Sequence, residues 1–234
     1  MSAVIHAKRY INFLWVCLLI VAVLNVSAIA LHHSGALGVG IGRKFYNLLY
    51  VDRESNLPSF FNTVLLLIAA ALLFITYLMH KQRGNAAIKN YWLLLSLIFL
   101  FLSADESISL HEYLTLLLPA LGIGGSGYFT FAWIIPYAIV ALLLGLYFIR
   151  FLRSLQKPVS AGFILSGIVY ISGAIGFEMI GGSISEKQGV TNITYQLVSS
   201  CEEMFEMAGV ILFIHYIVKH IRLEFEAASL TITS

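Results

Sequence analysis

The chain has 234 residues, of which 59% are hydrophobic and 11% are charged, and its formal net charge is +2. Soluble domains carry about 25% charged residues, so this composition excludes a soluble globular protein and indicates an integral membrane protein. The few lysines and arginines lie in short loops and form no basic face, which excludes nucleic acid as a partner. The expected partner is therefore the lipid bilayer.

Six apolar segments are long enough to cross a bilayer, because about 20 helical residues span its roughly 30 Å hydrocarbon layer. In chain order they cover residues 11–31, 60–79, 91–113, 131–151, 161–181 and 195–218. The sequence therefore predicts an all-α, polytopic helical bundle forming a single transmembrane domain over residues 1–234. For the first segment a removable signal peptide is the alternative, because Lys8 and Arg9 precede it and Ala28-Ile29-Ala30 resembles a cleavage site.

The basic residues of the loops predict the orientation of the bundle. With a cytoplasmic N-terminus, ten of the 14 lysines and arginines lie inside and four outside, as the positive-inside rule requires. The two termini are then both cytoplasmic, and the predicted location is the cell membrane, most simply a bacterial inner membrane. The exterior basic residues are Arg43, Lys44, Arg53 and Lys187.

This orientation brings most acidic residues to one leaflet. Seven of the twelve lie at or near the outer ends of the third, fifth and sixth segments: Asp105, Glu106, Glu112, Glu178, Glu202, Glu203 and Glu206. His32 and His33 end the first segment on the same side, and His111 lies between the acids of the third. The sequence therefore predicts an outward-facing, periplasmic or exterior, carboxylate and histidine site.

Helical periodicity predicts which side chains share a face. Asp105, Ser109 and Glu112 follow the i, i+4 and i+7 positions of one helix, which turns Glu106 and His111 away from them. In the fifth segment, Gly167, Ala174 and Gly181 form a stripe of small residues that would allow close helix approach.

Intramembrane acids are energetically costly and by default mark a functional site. Close carboxylates must share protons or bind a cation, and carboxylates with imidazole suit Zn, Mn or Fe, while oxygen ligands alone favour Ca. The first hypothesis is a divalent metal held by Asp105, Glu202 and Glu206 with His111 or His33. Candidates for the catalytic acid or base are Glu106, Glu178 and Glu203. Hydrogen bonding between helices by protonated acids is the alternative.

Two resemblances follow from these residues. The acids from Asp105-Glu106 through His111-Glu112 to Glu202-Glu203 and Glu206, with Glu178 and the stretch 54–59, resemble an uncharacterised group of small bacterial polytopic membrane proteins. Ser103, Asp105 and His111 are similar in type to the intramembrane zinc-site residues of alkaline ceramidases and adiponectin receptors. Those hydrolases have seven helices and paired histidines on the last one, where this chain has Glu202 and Glu206.

Three functions remain open at this level. The first is a metal-dependent hydrolase of a lipid or another membrane-proximal substrate, with water activated by the cation. The second is a proton- or cation-coupled transporter, and the third is a non-enzymatic subunit or sensor with a structural ion site. A transport path needs polar lining on both sides of the site, and the cytoplasmic halves offer little of it, so the enzyme is favoured over the transporter. Six helices could also assemble into a homo-oligomer.

Overall fold

The protein is a bundle of α-helices, and its computed structural model describes residues 7–36, 38–53 and 55–225. No strand occurs among these residues, which confirms the all-α prediction. The α-helices are α1 (Ala7–Ser34), α2 (Gly38–Leu49), α3 (Leu57–Gln82), α4 (Ala86–Ile108), α5 (Leu110–Ala120), α6 (Ile134–Ser154), α7 (Lys157–Ile171), α8 (Glu178–Gln188) and α9 (Ile193–Phe225). Glu54, part of the first resemblance, falls outside the described residues.

Five stretches of helix in the described part of the chain are long and apolar enough to cross a membrane. They are Lys8–Ser34, Leu57–Gln82, Ile88–Ile108, Ile134–Ser154 and Lys157–Gln188. These correspond to the first five predicted segments and support a multi-pass membrane protein. The sixth predicted segment lies in α9, which is not among the five, so its passage through the bilayer stays a prediction.

Helix α9 is the centre of the bundle, because it packs against α1, α3, α7 and α8. Helix α3 packs most extensively against α4, whereas α6 contacts both α4 and α7 sparsely. Sparse packing beside α6 leaves space between these helices. We call the end of the bundle that holds Asp105, Glu178 and Glu202 the acid end, and the end that holds His80 and His220 the opposite end.

The predicted third segment is interrupted at Ser109. Helix α4 ends at Ile108, Ser109 adopts the left-handed conformation with φ of 54° and ψ of 46°, and α5 begins at Leu110. A residue with a Cβ atom is strained in this conformation. The prediction of one continuous helix through residues 91–113 is therefore wrong, and so is the use of helical periodicity to turn His111 away from Asp105.

The predicted fifth segment also changes its geometry partway. A π-helical segment, Ser172–Phe177, joins α7 to α8. A π-helix inserts an extra residue per turn and so shifts the register of every later side chain. Gly167, before this segment, faces open space instead of a neighbouring helix, and the shift moves Ala174 and Gly181 out of register with it. The predicted stripe of small residues therefore does not form a continuous contact.

Close approach of the helices occurs at other glycines. A Cβ atom on Gly173 would lie 2.7 Å from the carbonyl oxygen of Glu202, and one on Gly209 would lie 2.8 Å from the backbone nitrogen of Tyr170. Neither distance can accommodate a methyl group without movement of backbone. These two glycines therefore let the π-helical segment and α7 lie directly against α9 and bring their polar side chains together.

Candidate functional site

A cavity of about 1040 Å³ lies between α4, α6, α7 and α9. Its wall at the acid end is formed by carboxyl, imidazole and phenol groups. The rest is an apolar trough lined mainly by leucines and phenylalanines, including Leu102, Leu144, Phe148 and Phe163. The cavity thus joins a polar wall to a long hydrophobic surface within one space.

All seven acids that the sequence places at one leaflet line this cavity, and His111 lines it with them. They are Asp105, Glu106 and Glu112 from α4 and α5, Glu178 from α8, and Glu202, Glu203 and Glu206 from α9. The structure therefore brings together the predicted residues of the three segments, although the local geometry around Ser109 differs from the prediction.

Asp105 accepts hydrogen bonds from two other residues of the wall. Its Oδ1 accepts a hydrogen bond of 2.9 Å from the backbone nitrogen of His111 and lies 3.3 Å from His111 Nδ1. Its Oδ2 accepts a hydrogen bond of 2.9 Å from the Tyr137 hydroxyl. The carboxylate thereby caps the N-terminus of α5, where the helix dipole favours negative charge. The break at Ser109 creates this arrangement, because it returns the chain toward Asp105.

A second group of acids lies on α8 and α9. Trp133 Nε1 donates a hydrogen bond of 3.2 Å to Glu178 Oε1, and Glu202 is the neighbour of Glu178 in the cavity wall. Tyr170 of α7 lines the cavity with Glu206. The Trp133 indole thus anchors Glu178 from outside α8 and α9.

Asp52 is a site residue that sequence reasoning missed. It lies between α2 and α3 and lines the cavity, where the Tyr195 hydroxyl donates to its two carboxylate oxygens at 3.1 and 3.4 Å. Burial, with a smaller contribution from the charge of Glu178, raises the pKa of Asp52 to about 7. Its loop position gives no sequence signal, because only the tertiary fold turns this loop into the cavity wall. Sequence reasoning likewise did not identify three aromatic residues that line the cavity, Trp133, Tyr137 and Tyr170.

His33 lies apart from this wall. Its Nε2 is 2.9 Å from Gln196 Oε1, and the residue does not line the cavity. Within residues 7–36, 38–53 and 55–225, no three His, Cys, Asp or Glu side chains are grouped so that they could hold a metal ion. The oxygens of Asp105 already accept hydrogen bonds from His111 and Tyr137. The divalent metal therefore stays a prediction.

Fold and site together define a multi-pass helical membrane protein with a carboxyl-lined cavity. A family model described as Domain of unknown function (DUF8692) matches residues 13–221, and the chain belongs to this family. No curated protein and no solved structure matches the chain. The resemblance to alkaline ceramidases and adiponectin receptors gains no support from these comparisons.

Proposed function

We propose that this protein is a membrane enzyme that hydrolyses a lipid-like substrate drawn from the bilayer. One observation carries the proposal: a single cavity joins the Asp105 and His111 pair and the other acids to an apolar trough. A hydrocarbon chain in the trough would place its polar headgroup, and the bond next to it, against the acid wall. Small-molecule sites typically combine such apolar lining with a few convergent polar groups.

The acid wall contains the groups that hydrolysis of an ester or amide requires. Asp105 orients the His111 ring and stabilises its protonated form, as carboxylates paired with catalytic histidines do. His111 takes one proton from water as the water oxygen bonds to the carbonyl carbon of the substrate. The bond to the leaving group then breaks, and His111 gives the proton that it took from water to the leaving atom. Glu106 and Glu203 remain alternative bases.

A proton- or cation-coupled transporter is the second candidate function. The left-handed break at Ser109 and the π-helical segment both adjoin the acid wall, and interrupted helices are typical of transporter binding sites. The trough argues against it, because Phe148, Phe151 and Phe213 line the cavity away from the acids. An ion that left the acid wall in that direction would meet little polar lining, since the Ser166 hydroxyl there already donates to the Gly162 carbonyl oxygen. Uptake by proteoliposomes under a proton gradient would favour the transporter.

For the topology we propose six spans with both termini in the cytoplasm and the acid end at the exterior face of a bacterial inner membrane. The excess of basic residues in the cytoplasmic loops supports this orientation. Single cysteines replacing Ser126 and Ser154, in a chain whose own Cys17 and Cys201 are replaced by serine, test it. A membrane-impermeant maleimide should label the first position in intact cells and leave the second unlabelled. The reverse pattern would place the acid end in the cytoplasm.

Turnover of a substrate panel tests the enzyme. Purified protein in lipid nanodiscs would be given fluorogenic esters and amides of single hydrocarbon chains. We expect product release that falls about 100-fold or more in His111→Gln and in Asp105→Asn, because general acid–base groups contribute that much. Glu186→Gln is the matched control, since Glu186 lies on α8 but does not line the cavity. Equal release by folded wild type and His111→Gln protein would refute this mechanism.

Elemental analysis tests the metal separately. The acid–base mechanism needs no metal, so it predicts that turnover persists in the presence of a strong chelator and that the protein holds less than one equivalent of Zn, Mn, Fe or Ca. One equivalent that is lost in both Asp105→Ala and Glu202→Ala would instead support the metal-dependent reaction.

A further inference from the structure

The cavity wall carries an excess of acidic groups. Eight carboxyl side chains line it, and among the described lining residues there is no lysine or arginine; His111 is the one group there that can become a cation near neutral pH. The eight are Asp52, Asp105, Glu106, Glu112, Glu178, Glu202, Glu203 and Glu206. A phosphate or carboxylate headgroup would meet like charge at this wall, which disfavours anionic lipids as occupants.

Glu202 gives this wall a specific point of attachment. The residue is only 8% exposed, and its Oε2 is buried without a hydrogen-bond donor. A buried acceptor without a donor is costly unless a proton or a ligand satisfies it. Glu178 is its neighbour, so a donor between these two carboxyl groups would satisfy both. A shared proton would be one such donor, whereas an ammonium group offers up to three.

The neighbouring aromatic residues favour the same kind of ligand. Trp133 donates to Glu178 and Tyr137 donates to Asp105, and Tyr170 lines the cavity with Glu206. These donors hold the carboxylates in place while the rings face the same cavity. Aromatic faces attract organic cations in addition to the attraction of the acids. A divalent metal would need a preformed group of several ligands, whereas an ammonium needs only acceptors within reach.

The trough limits what can be attached to that headgroup. It is lined mainly by hydrocarbon side chains, and the Ser166 hydroxyl among them donates to the Gly162 carbonyl oxygen. Gly167 contributes no side chain, and nothing lies within 4 Å of where its Cβ atom would be. A linear hydrocarbon chain can lie in the trough, where its apolar surface does not contact the carboxyl groups of the wall. The cavity therefore presents acceptors at one end and hydrocarbon along the rest.

We propose that the occupant of this cavity is an amphipathic amine, whose ammonium headgroup binds between Glu202 and Glu178 and whose hydrocarbon chain lies in the trough. This inference rests on the proposed function and narrows its substrate class to single-chain lipids with a cationic headgroup. Charge complementarity between the wall and the headgroup carries it, together with the unsatisfied Glu202 oxygen.

Quenching of Trp133 fluorescence can test the inference. Trp133 lines the cavity and the other two tryptophans, Trp15 and Trp92, do not. The probes are dodecylamine, dodecanol and dodecanoate, each brominated on the tail, titrated into protein in nanodiscs of zwitterionic lipid. Subtracting the signal of Trp133→Phe isolates the tryptophan in the cavity. We expect dodecylamine to quench at a concentration about tenfold or more below that of dodecanol, because a buried charge pair is worth at least that factor.

Four variants make the result specific. Glu202→Gln should remove most of the preference for the amine and leave dodecanol unchanged, while Glu186→Gln, an acid outside the cavity, should keep the preference. Glu178→Gln repeats the test at the second carboxyl group if Glu202→Gln does not fold. Gly167→Leu fills the trough and should weaken quenching by amine and alcohol alike.

The outcomes separate the two proposals. If amine and alcohol quench equally, and Gly167→Leu weakens both, the cationic headgroup is wrong and the amphiphile cavity stands. If dodecanoate quenches best, the charge argument is likewise overturned. If no probe quenches Trp133 in a manner sensitive to Gly167→Leu, the cavity takes no single-chain amphiphile, and both this inference and the lipid-like substrate of the proposed function fail.

Discussion

The two ends of the bundle are built in opposite ways from the same helices. At the opposite end, Trp92 of α4 is fully buried and stacks on His220 of α9 with ring centroids 4.5 Å apart, and His80 of α3 packs beside them. At the acid end, α4 and α9 carry Asp105 and Glu202, and a cavity lies between the helices. The bundle is closed by aromatic packing at one end and open at the other.

This difference predicts that the opposite end contributes most to stability and that the acid end carries the function. Buried aromatic side chains contribute much of the free energy of unfolding because they remove large apolar surfaces from contact with solvent or lipid. Buried carboxyl groups oppose folding unless they are paired. We therefore expect substitutions at the opposite end to change stability, and substitutions at the acid end to change binding and turnover at smaller cost to stability.

The largest effect on stability is expected for Trp92→Ala. Removing a fully buried indole leaves a cavity and should lower the free energy of unfolding by about 3–5 kcal/mol. Tyr137→Phe at the acid end loses one hydrogen bond to Asp105 and should cost only about 1 kcal/mol. Unfolding by denaturant in mixed micelles measures both. Equal losses for the two variants would remove the contrast between the ends.

A double-mutant cycle at the opposite end has the next largest effect. His80 Nε2 and His220 Nε2 are 3.0 Å apart, and both side chains are buried. His80→Leu leaves the His220 ring without this partner and should cost about 1–3 kcal/mol. The double variant His80→Leu/His220→Leu should cost less than the sum of the single variants, because it leaves no ring unsatisfied. Simple additivity would show that the two rings do not interact.

A pair of glycine substitutions compares packed and open positions. Gly209→Ala forces a methyl group against the backbone of Tyr170 and should lower the free energy of unfolding by about 1–3 kcal/mol. Gly145 lies on the cavity side of α6, and nothing lies within 4 Å of the position that an added Cβ atom would take. Gly145→Ala should be neutral or slightly stabilising, because alanine favours helix over glycine. If Gly145→Ala is the more damaging variant, the packing described beside α6 is incorrect.

The smallest effect is a pH dependence that originates at Asp52. Its pKa rises from 3.8 in the unfolded chain to about 7 in the fold, where Glu178 and Glu112 face it with negative charge and Tyr50 and Tyr195 face it with hydroxyl groups. The folded state therefore binds the proton more tightly, so stability falls as pH rises from about 4 to about 7.

Asp52→Asn should reduce the loss of unfolding free energy between about pH 4 and pH 7 by about 1 kcal/mol. A full pKa shift is worth about 1.4 kcal/mol per unit, and the partial exposure of Asp52 to solvent reduces this contribution. Thermal unfolding from pH 5 to pH 8 measures it, with Glu186→Gln as the control acid. An unchanged slope in Asp52→Asn would mean that another group titrates over this range.

The convergence of the acids could be predicted from the sequence, because each lies near the end of an apolar segment and connectivity fixes which ends meet. The pairing of Asp105 with His111 could not be predicted. It depends on a serine in the left-handed conformation, which the pattern of apolar residues around Ser109 does not indicate. Periodicity assumes an unbroken helix and therefore turned His111 away from its actual partner.

Asp52 and the contacts at Gly173 were beyond sequence reasoning for a related reason. A loop acid reaches a cavity only through the packing of several distant segments, and no local pattern records that packing. The π-helical segment adds a residue to the turn, so the small-residue stripe extrapolated from Gly167 missed the glycines that contact α9.

The clearance at Gly173 has a consequence for how the family tolerates variation. This residue carries no group that could touch a ligand, yet a single added methyl would lie 2.7 Å from the Glu202 carbonyl oxygen and push α8, with Glu178, away from α9. Gly173 therefore sets the distance between Glu178 and Glu202. In a saturation mutagenesis screen scored for function, it should accept as few replacements as these two acids do.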